Sequence, residues 1–168
     1  TQFYDASDAL ESNSELGMPV IAWVNDLTNP MYADWPKTLK DMMRYRWMNG
    51  LPLIQQNFFQ LVVLLDMRDP QALLLLGMYL DATLMDYAIR WGIVPLLEDE
   101  DCHVLAQLLW LGMEQLAALE IPLFLQKLAA TPLTPEGRLD PKQPRAVLRS
   151  LLQASAPADK ELLAFWSG

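Results

Sequence analysis

The stretch from Asp69 to Gly92, DPQALLLLGMYLDATLMDYAIRWG, constrains the fold more than any other part of the sequence. Asp69 followed by Pro70 predicts a helix start, because aspartate caps the first turn and proline is tolerated at its first position. Gly92 is suited to end that helix, and Asp86 and Arg90 are spaced to pair on its polar side. A helix this apolar must be covered on most of its circumference, so we expect it at the centre of the fold.

The remaining apolar segments also predict helices. Most prolines fall where first helical turns would begin, so they separate helices instead of breaking them. The expected helices cover residues 36–50, 52–67, 101–119, 122–130, 144–154 and 157–165. We therefore predict an all-α fold of six to eight helices around a central apolar hairpin over 52–91. An irregular bundle is the default, and a faint similarity between residues 47–54 and 91–97 leaves a short helical-repeat array open.

The domain organisation follows from the distribution of charge and proline. Residues 1–18 are acidic and polar and form the expected N-terminal arm. Residues 19–168 form the expected single helical domain, since this length suits one hydrophobic core. A proline-rich connection is expected at 131–144.

Composition excludes several classes of function. The net charge of −9 argues against a nucleic-acid binder, because phosphate contacts need concentrated Lys and Arg. The longest uncharged run, residues 47–65, contains too many amides for a membrane span. One cysteine, Cys102, forms no intramolecular disulfide, and no signal peptide is visible, so we expect a soluble cytoplasmic protein.

The sequence presents no catalytic or metal-binding pattern. Cys102 and His103 are adjacent and point about 100° apart on a helix, so they do not share a face. With one cysteine and one histidine, no zinc site of the usual composition is available. The acidic run 98–101 lacks the spacing of a calcium loop and is best explained as a negatively charged helix start. We expect no catalytic residue, no metal ligand, no cofactor and no enzymatic activity.

An aromatic- and methionine-rich neighbourhood beside basic residues is the candidate binding surface. Trp, Tyr, Met and Arg are enriched at protein interfaces. The candidate protein-binding residues are Trp35, Lys40, Met43, Arg44, Tyr45 and Trp47. The alternative is that these side chains pack inside the first helical hairpin.

One family resemblance rests on two segments. Residues 29–36, NPMYADWP, followed by the 74–77 segment LLLG within an apolar helix, resemble the accessory protein of the type III secretion sorting platform. The similarity covers residues 28–100. It implies a cytoplasmic helical adaptor that links the injectisome base to the export machinery, without catalytic residues.

The leading functional hypothesis is a non-enzymatic helical interaction protein, such as an adaptor, chaperone or assembly factor of a bacterial multiprotein complex. The expected partner is another protein, with homo-oligomerisation left open and no nucleic acid involved. Two alternatives remain: a helical binder of a small molecule or lipid, and an acidic inhibitor that mimics nucleic acid.

Overall fold

The fold is mixed α/β in the parts of the chain that the structure, a computed structural model, describes: residues 20–43, 53–97, 100–132 and 146–150. The strands are β1 (Ala22–Trp23), β2 (Phe59–Leu65) and β3 (Ile89–Pro95). The helices are α1 (Leu39–Met42), α2 (Pro70–Thr83), α3 (Glu100–Gln115) and α4 (Ile121–Ala129), with residues 146–150 also helical and 3-10 helices at Pro30–Tyr32 and Ala118–Glu120.

The strands form one sheet in the order β1–β3–β2. β2 and β3 run parallel, with Phe59 opposite Ile89 and Leu65 opposite Pro95. They are joined through α2 as a β-α-β unit. The short β1 pairs antiparallel with β3 on its other side. The prediction of an all-α fold, whether as a bundle or as a helical-repeat array, is therefore wrong.

Within the predicted helix 52–67, residues Phe59–Leu65 form strand β2 instead. Its apolar residues fit helical spacing, but the run Phe58–Leu65 is almost continuously apolar and includes adjacent valines at 62 and 63. A short continuous apolar run with β-branched residues is typical of a strand in a parallel sheet. Pairing with β3 therefore prevails over the helical pattern.

The central helix begins where the sequence predicts and ends earlier. The Asp69 carboxylate accepts a hydrogen bond from the Gln71 N–H at 2.8 Å, which confirms the N-cap. The helix ends at Thr83, so Asp86 and Arg90 do not share a helical face. Gly92 lies in β3 instead of ending a helix, and a Cβ there would approach Ile21 Cγ2 to 2.6 Å.

The main core lies between the sheet and helices α2, α3 and α4. Its fully buried members include Leu73, Leu80, Leu109, Phe124 and Leu125. The helices predicted at 101–119 and 122–130 are present as α3 and α4, although α3 ends at Gln115, four residues before the predicted end. Leu148, in the helical stretch 146–150, is buried in the same core.

Other predicted segments fall partly or wholly outside the described residues. The N-terminal arm, the predicted helix at 157–165 and most of the 131–144 connection lie there, as does the second half of the predicted helix 36–50. The predicted domain boundaries therefore stay predictions. None of the helices in the described ranges is long and apolar enough to cross a membrane.

Candidate functional site

The outer edge of β2 carries main-chain groups that point away from the sheet. The Leu96 N–H donates to the Leu65 carbonyl at 2.9 Å, so the main chain of Leu65 faces β3. Because main-chain direction alternates along a strand, the N–H and C=O groups of Gln60, Val62 and Leu64 face the opposite way. Among the described residues no strand pairs with that side. We refer to these three residues and their outward main-chain groups as the β2 edge.

Apolar side chains project from both faces of β2 beside this edge. Val63 and Leu65 point into the main core, so Val62 and Leu64 lie on the opposite face of the sheet. Val62 is 41% exposed although it is apolar. The exposed large apolar side chains of the strand are Phe59, Leu61, Val62 and Leu64. A strand that is apolar on both faces and has a free edge is a site where another chain can pair or bind.

Helix α2 adds further exposed apolar area next in the chain. Its inner side packs on α4 at Gly77, where a Cβ would lie 2.9 Å from the Pro122 carbonyl oxygen. Its outward apolar residues are Leu74, Leu75, Met78 and Tyr79. The β2–α2 unit therefore concentrates the exposed apolar surface of the described part of the chain.

The other side of the sheet is closed by the segment after β1. The Asn25 side-chain amide accepts from the Trp91 N–H at 2.8 Å and donates to the Ile89 carbonyl at 3.1 Å. It also donates to the Tyr32 hydroxyl at 3.2 Å. Asn25 thus continues the pairing of β3 beyond the two residues of β1. Among the described residues, in contrast, no side chain bonds to the outward main-chain groups of the β2 edge in this way.

Charge at this closed side is held by local hydrogen bonds. The Asn57 amide donates to the Asp26 carboxylate at 2.8 Å and, with bonds from Thr28, lowers the pKa of that carboxyl. Burial raises the pKa of the Tyr32 hydroxyl, although the hydrogen bond from Asn25 opposes that effect. The Arg90 guanidinium lies 4.0 Å from the ring centroid of Trp23. These charged and polar groups therefore lie on the β1 side of the sheet, whereas β2 itself, FQLVVLL, contains no charged residue.

The thiol of the chain is enclosed. Cys102 lies near the start of α3 with 0% exposure, and His103 beside it is half-buried. Within the described ranges, no cluster of His, Cys, Asp and Glu could hold a metal ion. Asp81, the one carboxylate that interrupts the apolar part of α2, is exposed.

The binding residues predicted from the sequence are only partly described. Trp35 is half-buried and lies 4.7 Å from the Tyr32 ring, so it packs in a small second core. Lys40 and Met43 are exposed at α1. Arg44, Tyr45 and Trp47 lie outside the described residues. That surface stays a prediction, and the described part of it does not adjoin the β2 edge through any observed contact.

Comparison with known proteins identifies the family. The sequence matches the family described as a thioredoxin-like domain over residues 4–165. The chain therefore belongs to the thioredoxin-like domain family, with which its β-α-β unit and mixed sheet agree. No curated protein matches the sequence.

This membership corrects the functional hypotheses. The resemblance to the type III secretion accessory protein is wrong, because the matched family is thioredoxin-like. The hypothesis of a helical adaptor, chaperone or assembly factor is also wrong, since the fold is not all-helical. The two alternatives, a helical binder of a small molecule or lipid and an acidic mimic of nucleic acid, gain no support. The fold instead suggests redox or disulfide-related functions.

Sequence reasoning missed the β2 edge. The available signal was the run FFQLVVLL, which is uncharged, includes adjacent β-branched valines and has no polar face of helical period. A strand at this run, followed by the helix that begins after the Asp69 N-cap, would also have indicated a β-α-β unit.

Proposed function

We propose that this thioredoxin-like domain binds an extended polypeptide segment at the β2 edge and does not exchange disulfides. The observation that carries the proposal is the row of outward main-chain groups at Gln60, Val62 and Leu64, flanked by exposed apolar side chains. The expected partner is therefore a protein segment in β conformation, and the activity is binding without catalysis.

Disulfide exchange within this sequence lacks its usual groups. A Cys-x-x-Cys motif near a β-α-β unit is the redox signature of thioredoxin-like proteins, and exchange requires an accessible thiolate. The sequence contains one cysteine, Cys102, whose side chain is fully buried in α3. Both facts favour a binding role over thiol chemistry.

Strand addition suits the chemistry of the edge. An extended peptide that joins a sheet edge gains affinity from main-chain hydrogen bonds and specificity from alternate side chains. Proteins usually protect such an edge with lysine, proline or a bulge. β2 has none of these devices: its sequence is FQLVVLL, and its register with β3 is uninterrupted.

The partner segment should be uncharged and apolar on both of its faces. On one face of the sheet it would meet Leu61, and on the other it would meet Val62 and Leu64. Three outward residues occupy about 13 Å of strand, so an added segment of about five residues would use every group.

The test is binding of a fluorescein-labelled peptide, KKFQLVVLLKK, followed by fluorescence anisotropy. A second peptide with N-methyl groups at alternate residues keeps the charge and side chains but loses main-chain donors along one edge. The account predicts saturable binding of the first peptide and affinity about tenfold lower or worse for the second, since several hydrogen bonds are lost. Equal affinity of the two peptides would refute strand addition.

The matched protein variant is Val62→Pro. The Val62 N–H points away from β3, so proline there removes no bond between β2 and β3. It should abolish peptide binding with the circular dichroism spectrum unchanged. Val63→Pro removes a bond to β3 instead and should unfold the sheet. Binding that survives Val62→Pro would contradict the assignment of the edge.

A further inference from the structure

We propose that two copies of this domain associate through their β2 edges, antiparallel and about a two-fold axis at Val62. This inference rests on the proposed function, because it names a second copy of the chain as the partner strand. It extends the three described strands into a continuous six-stranded sheet.

The edge is complementary to itself. In an antiparallel pair, two directly opposed residues that both face the partner exchange both of their main-chain hydrogen bonds. A two-fold axis at Val62 opposes Val62 to its own copy and Gln60 to Leu64 of the second copy. Each outward N–H and C=O of Gln60, Val62 and Leu64 then meets a partner. An axis on any neighbouring residue leaves some of these groups unpaired.

The side chains fit the same register. An isologous interface brings one patch against itself, so it tolerates no unpaired charge near the axis. β2 contains no charged residue from Phe59 to Leu65. The charged residues that follow the strand begin at Asp66, which this register places opposite Phe58 of the second copy, away from its own copy.

The net charge modulates the association. Each chain carries −9, so two copies repel one another at long range. Salt screens that repulsion, whereas apolar contact and main-chain hydrogen bonds are affected little. Dimerisation should therefore strengthen as salt rises from 0.02 to about 0.3 M, over which the Debye length falls severalfold.

The first test compares oligomeric state among charge variants by sedimentation velocity. Val62→Lys and Val62→Asp each place like charges opposite one another at the axis, so each alone should associate about tenfold more weakly or worse than wild type. Mixed together, the two variants should form a heterodimer, because the axis then opposes a lysine to an aspartate. A wild type that is monomeric up to high micromolar concentrations, or variants that dimerise like wild type, would overturn the inference.

The second test reads the register directly by cross-linking. Opposed residues in such a pair have Cα atoms about 5.5 Å apart, within the range of a disulfide. Val62→Cys should therefore form a covalent dimer on mild oxidation. Gln60→Cys is the matched control, since the two copies of residue 60 lie about 13 Å apart and should remain uncrosslinked. Equal cross-linking of both variants would contradict the register, and buried Cys102 provides the background.

The two proposals fail in different ways. A monomeric protein that still binds the KKFQLVVLLKK peptide refutes self-association and leaves strand addition standing. A dimer that persists in Val62→Pro, together with no peptide binding, refutes both. If both are right, the peptide should dissociate the dimer in proportion to its occupancy.

Discussion

Replacing Asn25 by alanine should destabilise the domain strongly, because the Asn25 side-chain amide makes the hydrogen bonds to β3 that a neighbouring strand would otherwise make. Asn25 is 5% exposed and holds the Trp91 N–H and the Ile89 carbonyl, both on the side of β3 that faces β1. It also donates to Tyr32. Among the described residues, no other bond is observed to that N–H or to that carbonyl. Asn25→Ala therefore leaves two main-chain groups buried without partners.

The expected loss of unfolding free energy follows from the two main-chain groups that lose their hydrogen-bond partner. An unsatisfied buried donor or acceptor costs about 1–3 kcal/mol, and the loss is partly offset because the buried amide itself is removed. The expected loss is about 3 kcal/mol of the free energy of unfolding. That is a large share of the 5–15 kcal/mol typical of a domain, and for a domain of this size it lowers Tm by about 6–12 °C.

The assay is urea denaturation followed by tryptophan fluorescence and circular dichroism. Asn29→Ala is the matched control, since exposed Asn29 makes one capping bond, from the Met31 N–H at 3.0 Å, and its removal should cost about 1 kcal/mol. A loss below about 1 kcal/mol for Asn25→Ala, or equal losses for the two variants, would refute the role of Asn25 in pairing β3.

Three further predictions test the packing, the charge and the thiol. Gly77→Ala should lower the unfolding free energy by about 1 kcal/mol, because overpacking against the Pro122 carbonyl exceeds the gain in helix propensity; urea denaturation measures it. The pKa of Asp26 is lowered chiefly by the hydrogen bond from Asn57, so its stabilisation is present above pH 3.8 and is lost as pH falls through the lower folded value. The stability advantage of wild type over Asp26→Asn should therefore shrink below pH 3.8, as measured by thermal unfolding from pH 2 to 7. Cys102 should react with iodoacetamide only as fast as the native domain opens, and rapidly in denaturant.

Each of these has an outcome that contradicts it. Gly77→Ala stabilising the domain would mean that α2 and α4 are not in close contact. A stability difference for Asp26→Asn that is constant with pH would show that the carboxylate is not held by Asn57. Labelling of Cys102 in the native domain at the denatured rate would reopen thiol chemistry.

The sequence was sufficient for features determined by local capping. The N-cap at Asp69 and the start of α2 at Pro70 depend on residues within one turn, and the structure confirms them. The helices predicted at 101–119 and 122–130 are present as α3 and α4, although α3 ends at Gln115. The early end of α2 was not predictable from periodicity. The residues that follow it, through Gly92, stay apolar because they enter a buried strand, and apolar periodicity does not distinguish that from a buried helix.

The candidate site depended on the missed strand. β2 and β3 are distant in sequence, and their pairing is visible only when both are recognised as strands. Because the apolar spacing of 52–67 predicts a helix, it places the exposed residues of β2 on a helix face and predicts no sheet edge there. The enrichment of Trp, Tyr, Met and Arg at interfaces instead selects the residues from Trp35 to Trp47, and that surface stays a prediction.

The central claim is that the β2 edge is open and receives a polypeptide strand, and amide hydrogen exchange measured by NMR tests it most directly. In the Val62→Lys variant, held monomeric by its charge, the N–H groups of Leu61, Val63 and Leu65 should be protected by β3 and those of Gln60 and Leu64 should exchange rapidly. In the wild type, addition of the KKFQLVVLLKK peptide should leave the amides at Gln60, Val62 and Leu64 protected as well. If these three amides still exchange rapidly at saturating peptide, or if protection in the Val62→Lys monomer does not alternate along β2, the account is wrong.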